Sequence, residues 1–563
     1  MAFQISPGVN VAEVDATTVV PAVQQTAGAF AGTFQWGPAD KVKQVDSELT
    51  LASTFGKPNS DSAVSFFTAA NFLSYGNNLS VVRSVGALAN NATDGSTLNV
   101  QIKNEDDYES TFLNISSSNN YGPFAARYAG VLGNSITIAV CANNQTYSTW
   151  AYKNYFTSAP GTSDFADSVN GVNDEMHIVV IDQDGLFTGS AGSILETYGF
   201  VSAASDAVIN GATNYYKQVI FNNSKYVYAM DPVNYATTSA TWGQSAAGRT
   251  FANPATNQLI NLTTGSTVAP TDGNLQISYD LFANKESIDV SLVLTAGHSI
   301  TVQQYVIDNI AVGRADCVAF ISPRYADVVN KAGSETTNIQ DWLTTLSRSS
   351  SYVVADSGWK YQFDKYNNTY RWIPLNGDIA GLCVYTDNIR DPWFSPAGFN
   401  RGAIKNCIKL AWNPNKSFRD TLYAAGVNPV VSFPGQGTVL FGDKTLLNKP
   451  SAFDRINVRR LFITLEKAIA QAAKFSMFEL NDEFTRAQFI ALVSPFLRDI
   501  QGRRGLTDFR VVCDSTNNTQ QVIDSNQFVG DIYLKPARSV NYIQLNFIAV
   551  GTGVDFVTIV GAA

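Results

Sequence analysis

The stretch SIDVSLVLTAGHSITVQQYVIDNIAVGRADCVAFISP, Ser287 to Pro323, decides the fold class. Residues 287–294 are an apolar, β-branched run and read as a strand. Residues 300–312 space their apolar side chains at helical intervals, and residues 316–323 are a second apolar strand. The pattern continues with TNIQDWLTTLS (337–347) as a helix and SYVVAD (351–356) as a strand. Upstream, HIVVID (177–182) is a buried strand and AGSILETYGF (191–200) reads as a short helix. Strands alternating with helices imply a mostly parallel α/β sheet. Such sheets can hold a ligand where the strand order reverses, so the middle of the chain must also be read for a reactive site.

Outward from this segment the character changes. The first 25 residues, including SPGVNVAEVD, are extended, with Pro and Gly punctuation and no helical period. Within SAVSFFTAANFLSY (62–75), Val64, Phe67, Phe72 and Leu73 share a helical face, and LSVVRSVG (79–86) is a strand. Residues 91–125 are polar and turn-rich and read as a surface insertion. Near the other end, Val458 to Phe478 is a helix with Leu461, Phe462, Leu465, Ile469, Ala472 and Ala473 on one face. Asn481 is placed to cap a second helix, which Ser494 and Pro495 restart. DFRVVCD, GDIYLKPA and SVNYIQLNFIAV are strands, the last alternating through Ile543, Leu545, Phe547 and Ala549. After Gly551-Thr552-Gly553 comes one more β-type segment. The expected fold is therefore a multidomain α+β and α/β chain.

Composition narrows the function. The chain has 563 residues, and only 15% of them are charged. About a quarter is usual, so a chain this poor in charge suits a surface buried against neighbours. A net charge of −9 argues against a nucleic-acid partner. The five cysteines are widely spaced with no CxxC pair, which leaves no zinc or redox motif. Met1 to Asp15 lacks the pattern of a signal peptide, and no apolar run reaches membrane-spanning length. Only His177 and His298 are available for acid–base or metal chemistry. DQDG (182–185) lacks the remaining ligands of a calcium loop and reads as an Asp-Gly turn. PGQGTVLFGDKT (434–445) approaches a phosphate-binding loop, but Asp443 separates Gly442 from Lys444 and puts the lysine one residue late. It reads instead as a short strand between glycine turns. No catalytic residue, cofactor or metal is expected. The rival reading is an α/β enzyme using His298 or Asp316 in a crevice of the middle domain.

The block FDRINVRRLFITLEKAIAQAAKFSMFELNDEFTRAQFIALVSPFLRDIQGRRGLTDFRVVCD, with the strands after it, resembles the tail sheath family of contractile-tailed bacteriophages. So do SPAGFNRG (395–402), FPGQGTVLFGDKT (433–445), SPGVNVAEVD, ARYAGVLGNSITIAV and IDQDGLFTGSAGSILETYGFVS. The resemblance implies this division: an N-terminal arm (1–25), the first part of the inner core (26–90) and a surface insertion (91–125). An α/β middle domain (126–390) follows, with a variable insertion near 233–275 and insertions facing outward. The family's inner C-terminal domain (391–550) and a C-terminal arm (551–563) complete it. It also implies hexameric rings stacked around a tail tube, contraction triggered by a baseplate, and a virion location after assembly in the host cytoplasm. Implied partners are further copies of the chain, the tube protein, and baseplate and tail terminator proteins, with no nucleic acid and no membrane insertion. A tailed bacteriocin or secretion device would use a similar sheath.

In this family terminal arms of adjacent subunits complete a sheet. That implies donor strands carrying Val9, Val11 and Val14 and carrying Val554, Phe556 and Ile559. The accepting sheet would include Asp531 to Leu534 and the run with Ile543, Leu545 and Phe547. Without the resemblance, both termini could equally pair within their own chain. Arg460, Lys467 and Lys474 recur every seven residues and form one basic stripe on a helix. Residues 451–510 hold ten Lys/Arg against seven Asp/Glu. With Arg503 and Arg504, this stripe is the expected tube-facing surface. The alternative for the stripe is a solvated helix face, and for Arg503 and Arg504 it is pairing with carboxylates inside the subunit.

Overall fold

The computed structural model describes residues 26–94, 100–113, 122–230, 241–542 and 544. These fall into two compact units, residues 26–475 and residues 476–544. The arm residues Val9, Val11, Val14, Val554, Phe556 and Ile559, and also Ile543, Leu545 and Phe547, lie outside the described residues.

The larger unit is built on a seven-stranded sheet. Its spatial order is Val427–Asn428, Val353–Asp356, Val318–Ile321, Leu292–Leu294, Gly28–Gly32, Leu79–Arg83 and Val42–Val45. Six strands run parallel, and only the edge strand Val42–Val45 is antiparallel. Phe30 pairs with Leu294 on one side and Val81 on the other. The strand–helix alternation read from 287–356 is thus present. Its helices are Ile300–Tyr305, continued by a π-helical Val306–Val312, and Glu335–Leu346. The first strand is shorter than expected, covering only Leu292–Leu294.

Alternation across each strand separates two packed faces. Phe30, Leu294, Phe320 and Val354 pack with apolar residues of helices Ala63–Leu73, Asn376–Ile389 and Ile456–Ala473. Ala29, Ala31, Val82, Val293 and Ala319 pack with Leu275, Tyr279, Val302, Val306 and Ile310 on the other face. A parallel sheet covered on both faces reads as continuous apolar runs, which is how these strands looked in sequence.

The sheet groups the chain differently from the expected segments. Strands from 28–83 continue the sheet formed by strands from 292–428, so residues 26–90 share one sheet with much later residues. The expected middle domain, 126–390, contributes a second sheet. It is antiparallel, in the order Gln258–Asn261, Ile136–Cys141, Glu175–Asp182, Ser193–Ser202. The short helix expected at 191–200 is this last strand. Ile194, Thr197, Tyr198 and Val201 are residues that suit a pleated surface, and pairing with the apolar Glu175–Asp182 strand outweighs the weak helical spacing. The expected surface insertion at 91–125 is not purely superficial. Its described part buries Val100, Ile102, Tyr108 and Phe112, with Tyr108 stacked on Tyr228 at 4.1 Å. Likewise Trp242 and Phe251, from the expected variable insertion, are core residues, and Gln258–Asn261 is a sheet strand.

Two buried cations hold segments together. Arg83 donates to the carbonyl oxygens of Phe34 (3.0 Å), Gly37 (2.8 Å) and Gln35 (3.3 Å), and to that of Ala129 beside the second sheet. Burial pushes its guanidinium down to about 10. Lys360 and Asp378 form a fully buried ion pair, Nζ to Oδ1 2.8 Å. Lys360 also donates to Lys405 O at 2.8 Å, and the Tyr75 hydroxyl donates to Asp378 at 3.2 Å. Removing one partner strands a charge in the core. Lys360→Met should therefore cost about 3–5 kcal/mol of unfolding free energy in chemical denaturation. The double change Lys360→Met/Asp378→Leu should recover most of that loss.

Candidate functional site

The smaller unit is a helix laid on a hairpin. Asp482, rather than Asn481, caps the helix Glu483–Gly502, accepting from Thr485 N at 2.9 Å. The expected restart at Ser494-Pro495 is absent and the helix is continuous. Pro495 sits on the exposed side, so the carbonyl that loses its partner faces water. Thr485, Phe489, Val493, Leu497 and Ile500 recur at intervals of four, four, four and three and form the buried stripe. The hairpin pairs Leu506–Val512 with Asp531–Pro536, from Val512↔Asp531 to Leu506↔Pro536, with a bulge between Leu506 and Asp508. Asn518 closes the connection by bonding both N and O of Val529, at 2.8 Å each.

Among the described residues this sheet has two strands. Among the described residues no third strand pairs with either outer edge. Each edge therefore presents a row of backbone N–H and C=O groups to whatever lies beside it. Asp531 to Leu534, expected as part of an accepting sheet, is one of the two strands.

The basic stripe is not one surface. Arg460 is buried, forming an ion pair with Asp387 and donating to Cys383 O at 3.4 Å. Lys467 is half-buried and donates to Asp289 (2.6 Å), Val290 O (2.8 Å) and Ser291 Oγ (3.0 Å). Lys474, past the last α-helical turn, is exposed. Seven-residue spacing put the three on one face, but that face turns into the core at its N-terminal end. Asp387 and Asp289 come from distant sequence, so no local pattern announces them. Arg503 and Arg504, in the smaller unit, are exposed, and Arg503 pairs with Asp499 at 3.6 Å.

The crevice expected at the ends of the parallel strands is filled by the chain itself. Thr295 Oγ1 donates to Phe320 O (2.9 Å), and the Ser322–Asp356 contact is 2.6 Å. Asn376 Nδ2 donates to Ala296 O and Ser322 Oγ, both at 2.8 Å. His298 is buried against Phe30 and its Nε2 lies 2.8 Å from Ala31 O. His177 stacks on Phe156 at 4.2 Å and accepts from Phe200 N through Nδ1. Burial lowers the pKa of both imidazoles. Asp316 is paired with Arg314 at 2.8 Å. His177, His298 and Asp316 are thus committed to packing or to an internal pair.

The near-phosphate loop is a hairpin. Gly437–Leu440 pairs antiparallel with Val430–Phe433, and Gly435 and Gly437 take φ of +74° and +80° at its turn. Lys444 Nζ donates to Tyr423 O at 2.7 Å, and Asp443 is buried. Asp182 is likewise a loop clamp, accepting from the backbone N of Leu186, Phe187 and Thr188. Among the described residues no three His, Cys, Asp or Glu could hold a metal, and no helix is long and apolar enough to cross a membrane.

Comparison with known proteins supplies the family. Residues 292–446 match the phage tail sheath protein central domain, and residues 448–549 the phage tail sheath C-terminal domain. Residues 28–83 match the N-terminal region of tail sheath protein Gp18 domain III. The tail sheath protein of Vibrio phage KVP40 is 34% identical, over 99% of this chain and 100% of its own length. That of Enterobacteria phage T4 is 33% identical over 99% of both. The chain belongs to the phage tail sheath protein family and is a structural component of a contractile bacteriophage tail. The fold is shared with the sheath tail protein of Listeria innocua, 11% identical, covering 92% of this chain and 96% of that one at a TM-score of 0.52. It is shared also with the helical sheath of the anti-feeding prophage in its contracted state, 13% identical, covering 97% and 99% at 0.52.

One buried acid predicts a pH dependence. Burial pushes the Asp356 carboxyl up to about 8, far above its ordinary value. Between about pH 4 and 8 the folded chain holds a proton that the unfolded chain has lost, so stability falls as pH rises through that window. Asp356→Asn should flatten that fall, read from denaturation midpoints at pH 5, 7 and 9.

Proposed function

We propose that this chain polymerises as stacked hexameric rings around a tail tube and shortens when the baseplate signals. The stroke drives the tube through the host envelope for genome delivery. The observation that supports this reading is the two-stranded sheet of the smaller unit, against whose outer edges no third strand pairs among the described residues. A strand supplied by a neighbour would satisfy those edges through main-chain hydrogen bonds, which demand little of sequence. The donors are the terminal arms, through Val9, Val11 and Val14 and through Val554, Phe556 and Ile559, with Ile543, Leu545 and Phe547 extending the acceptor. Such links let subunits move far without losing their neighbours.

The tube-facing role rests on Lys474, Arg503 and Arg504, whose side chains are exposed. Screened contacts of this kind hold weakly and release readily. Arg460 and Lys467 serve the subunit's interior instead. The work is mechanical and takes no nucleotide, metal or catalytic group. Partners are further copies, the tube, the baseplate and the tail terminator, with assembly in the host cytoplasm before incorporation in the virion. The curated relatives over full length are phage proteins, which favours a virus over a bacteriocin or secretion device.

Negative-stain electron microscopy of the concentrated full chain, beside a version lacking residues 1–20, tests this. Hollow striated tubes from the full chain alone are the expected result. Tubes from both would reassign the tether, and tubes from neither at any concentration would overturn self-assembly.

A further inference from the structure

Two cations of the seven-residue stripe turn inward, and both converge on the place where the N-terminal arm joins the body. Residues 1–25 join the described residues at Thr26, two positions before the strand Gly28–Gly32. The Thr26 hydroxyl donates to Asp387 Oδ2, the same oxygen that takes the Arg460 guanidinium. The side chains of Arg460 and Asp387 are only 5% and 12% exposed. Asp387 lies on the helix Asn376–Ile389 and Arg460 on the helix Ile456–Ala473. One carboxylate therefore ties the arm's root to two helices.

The next residue is held from the other side. Ala27 O accepts from the backbone N of Ser291 at 2.9 Å and of Leu292 at 3.2 Å. Lys467, about two turns beyond Arg460 on the same helix, donates to Ser291 Oγ at 3.0 Å, to Val290 O at 2.8 Å and to Asp289 at 2.6 Å. Thr26 and Ala27 are thus both stapled to the helix Ile456–Ala473, at points about 10 Å apart along its axis.

The body is held together without these staples. Gly28–Gly32 is already paired on both sides, and Ile456 and Ile463 already pack the helix onto the sheet. The polar contacts add a direct tie between the arm's root and the helix, built from charge-assisted hydrogen bonds, the stronger kind. A strand pulled from its first residue gives up its ladder bonds one at a time, so a tie placed ahead of it protects the whole ladder. The same helix is followed in sequence by the smaller unit, residues 476–544, which contains the sheet read above as the acceptor. Within one chain, the stem of the acceptor is therefore bonded to the root of the donor arm.

We propose that Arg460, Asp387 and Lys467 form an anchor that carries tension from the N-terminal arm into the helix Ile456–Ala473. A neighbour's strand held by the smaller unit loads one end of that helix, and the chain's own arm loads the other. The pull then passes from subunit to subunit before it reaches the ladder bonds of the seven-stranded sheet. The inference rests on the arm exchange proposed above. The three residues act by positioning the arm's root, not by touching a neighbour.

Constant-force pulling on single full-length chains tests it, in a Cys407→Ser background with one handle on the N-terminus and one on Phe475→Cys. Phe475 is exposed, just past the helix. Thr26→Val/Lys467→Met removes both staples yet leaves Arg460 paired with Asp387, and Asp289 is exposed, so no buried charge is stranded. The lifetime of the folded state under load should fall by about tenfold or more, the equivalent of one charge-assisted hydrogen bond. With the first handle moved to Leu259→Cys, on the second sheet, the arm carries no load and the variant should keep the lifetime of its parent. Thermal melts confirm that each chain is folded. Equal lifetimes in the arm geometry overturn the anchor. So does an equal fall in both geometries, which would make these contacts general stabilisers. Because single chains are pulled, tube formation by electron microscopy remains a separate readout: absent tubes overturn the sheath reading, whereas an unchanged lifetime overturns only the anchor.

Discussion

The larger unit depends on the two-sided pairing of Gly28–Gly32. This short strand comes from the start of the described chain yet lies between Leu292–Leu294 and Leu79–Arg83. Its residues GAFAG set the spacing of both layers. Phe30 fills one face, and Ala29 and Ala31 let helices approach the other. The glycines at its ends tolerate no side chain. A Cβ on Gly28 would meet the Phe72 ring at 2.6 Å, and one on Gly32 would meet the Phe30 ring at 2.6 Å. Without this strand the sheet would divide into a fragment near residue 80 and a fragment from 292 onward. Arg83, which leaves the neighbouring strand, then binds Ala129 O and anchors the second sheet to the first.

The two units differ in how they treat their hydrogen bonds. In the larger one, several charged groups that enter the core find partners there: Lys360 with Asp378, Arg460 with Asp387, Asp356 with Ser322. Burying them costs desolvation, and the return is a core with few alternative arrangements. In the smaller one, the described residues place a two-stranded sheet on the helix Glu483–Gly502, with no third strand paired to it. Isolated hairpins of this size are marginal on their own.

How much of this was legible in the sequence differs by residue. The Ser287–Pro323 alternation was readable because buried parallel strands are uninterrupted apolar runs, and the helix between them has its own period. The short strand at 437–440 was readable because glycines flank it, whereas its partner strand at 430–433 was not read. The strand at 193–202 was not, because AGSILETYGF suits helix and strand about equally and its partner strand decides. The basic stripe misled because periodicity reports which residues share a helix face, not what packs on that face. Nothing near Arg460 in sequence points to Asp387.

The sequence by itself therefore determined the class of layers, the helix stripes, the glycine turns and, by resemblance, the sheath family. These are local or compositional properties, set by residue type and spacing within a few turns of chain. Only the tertiary structure decided that Gly28–Gly32 pairs on both sides, that strands within 136–261 form their own antiparallel sheet, and that Arg460 is a core cation. It also decided that Thr26 and Arg460 meet at Asp387. Those facts depend on contacts between residues far apart in the chain, which become definite only once the backbone has closed around them.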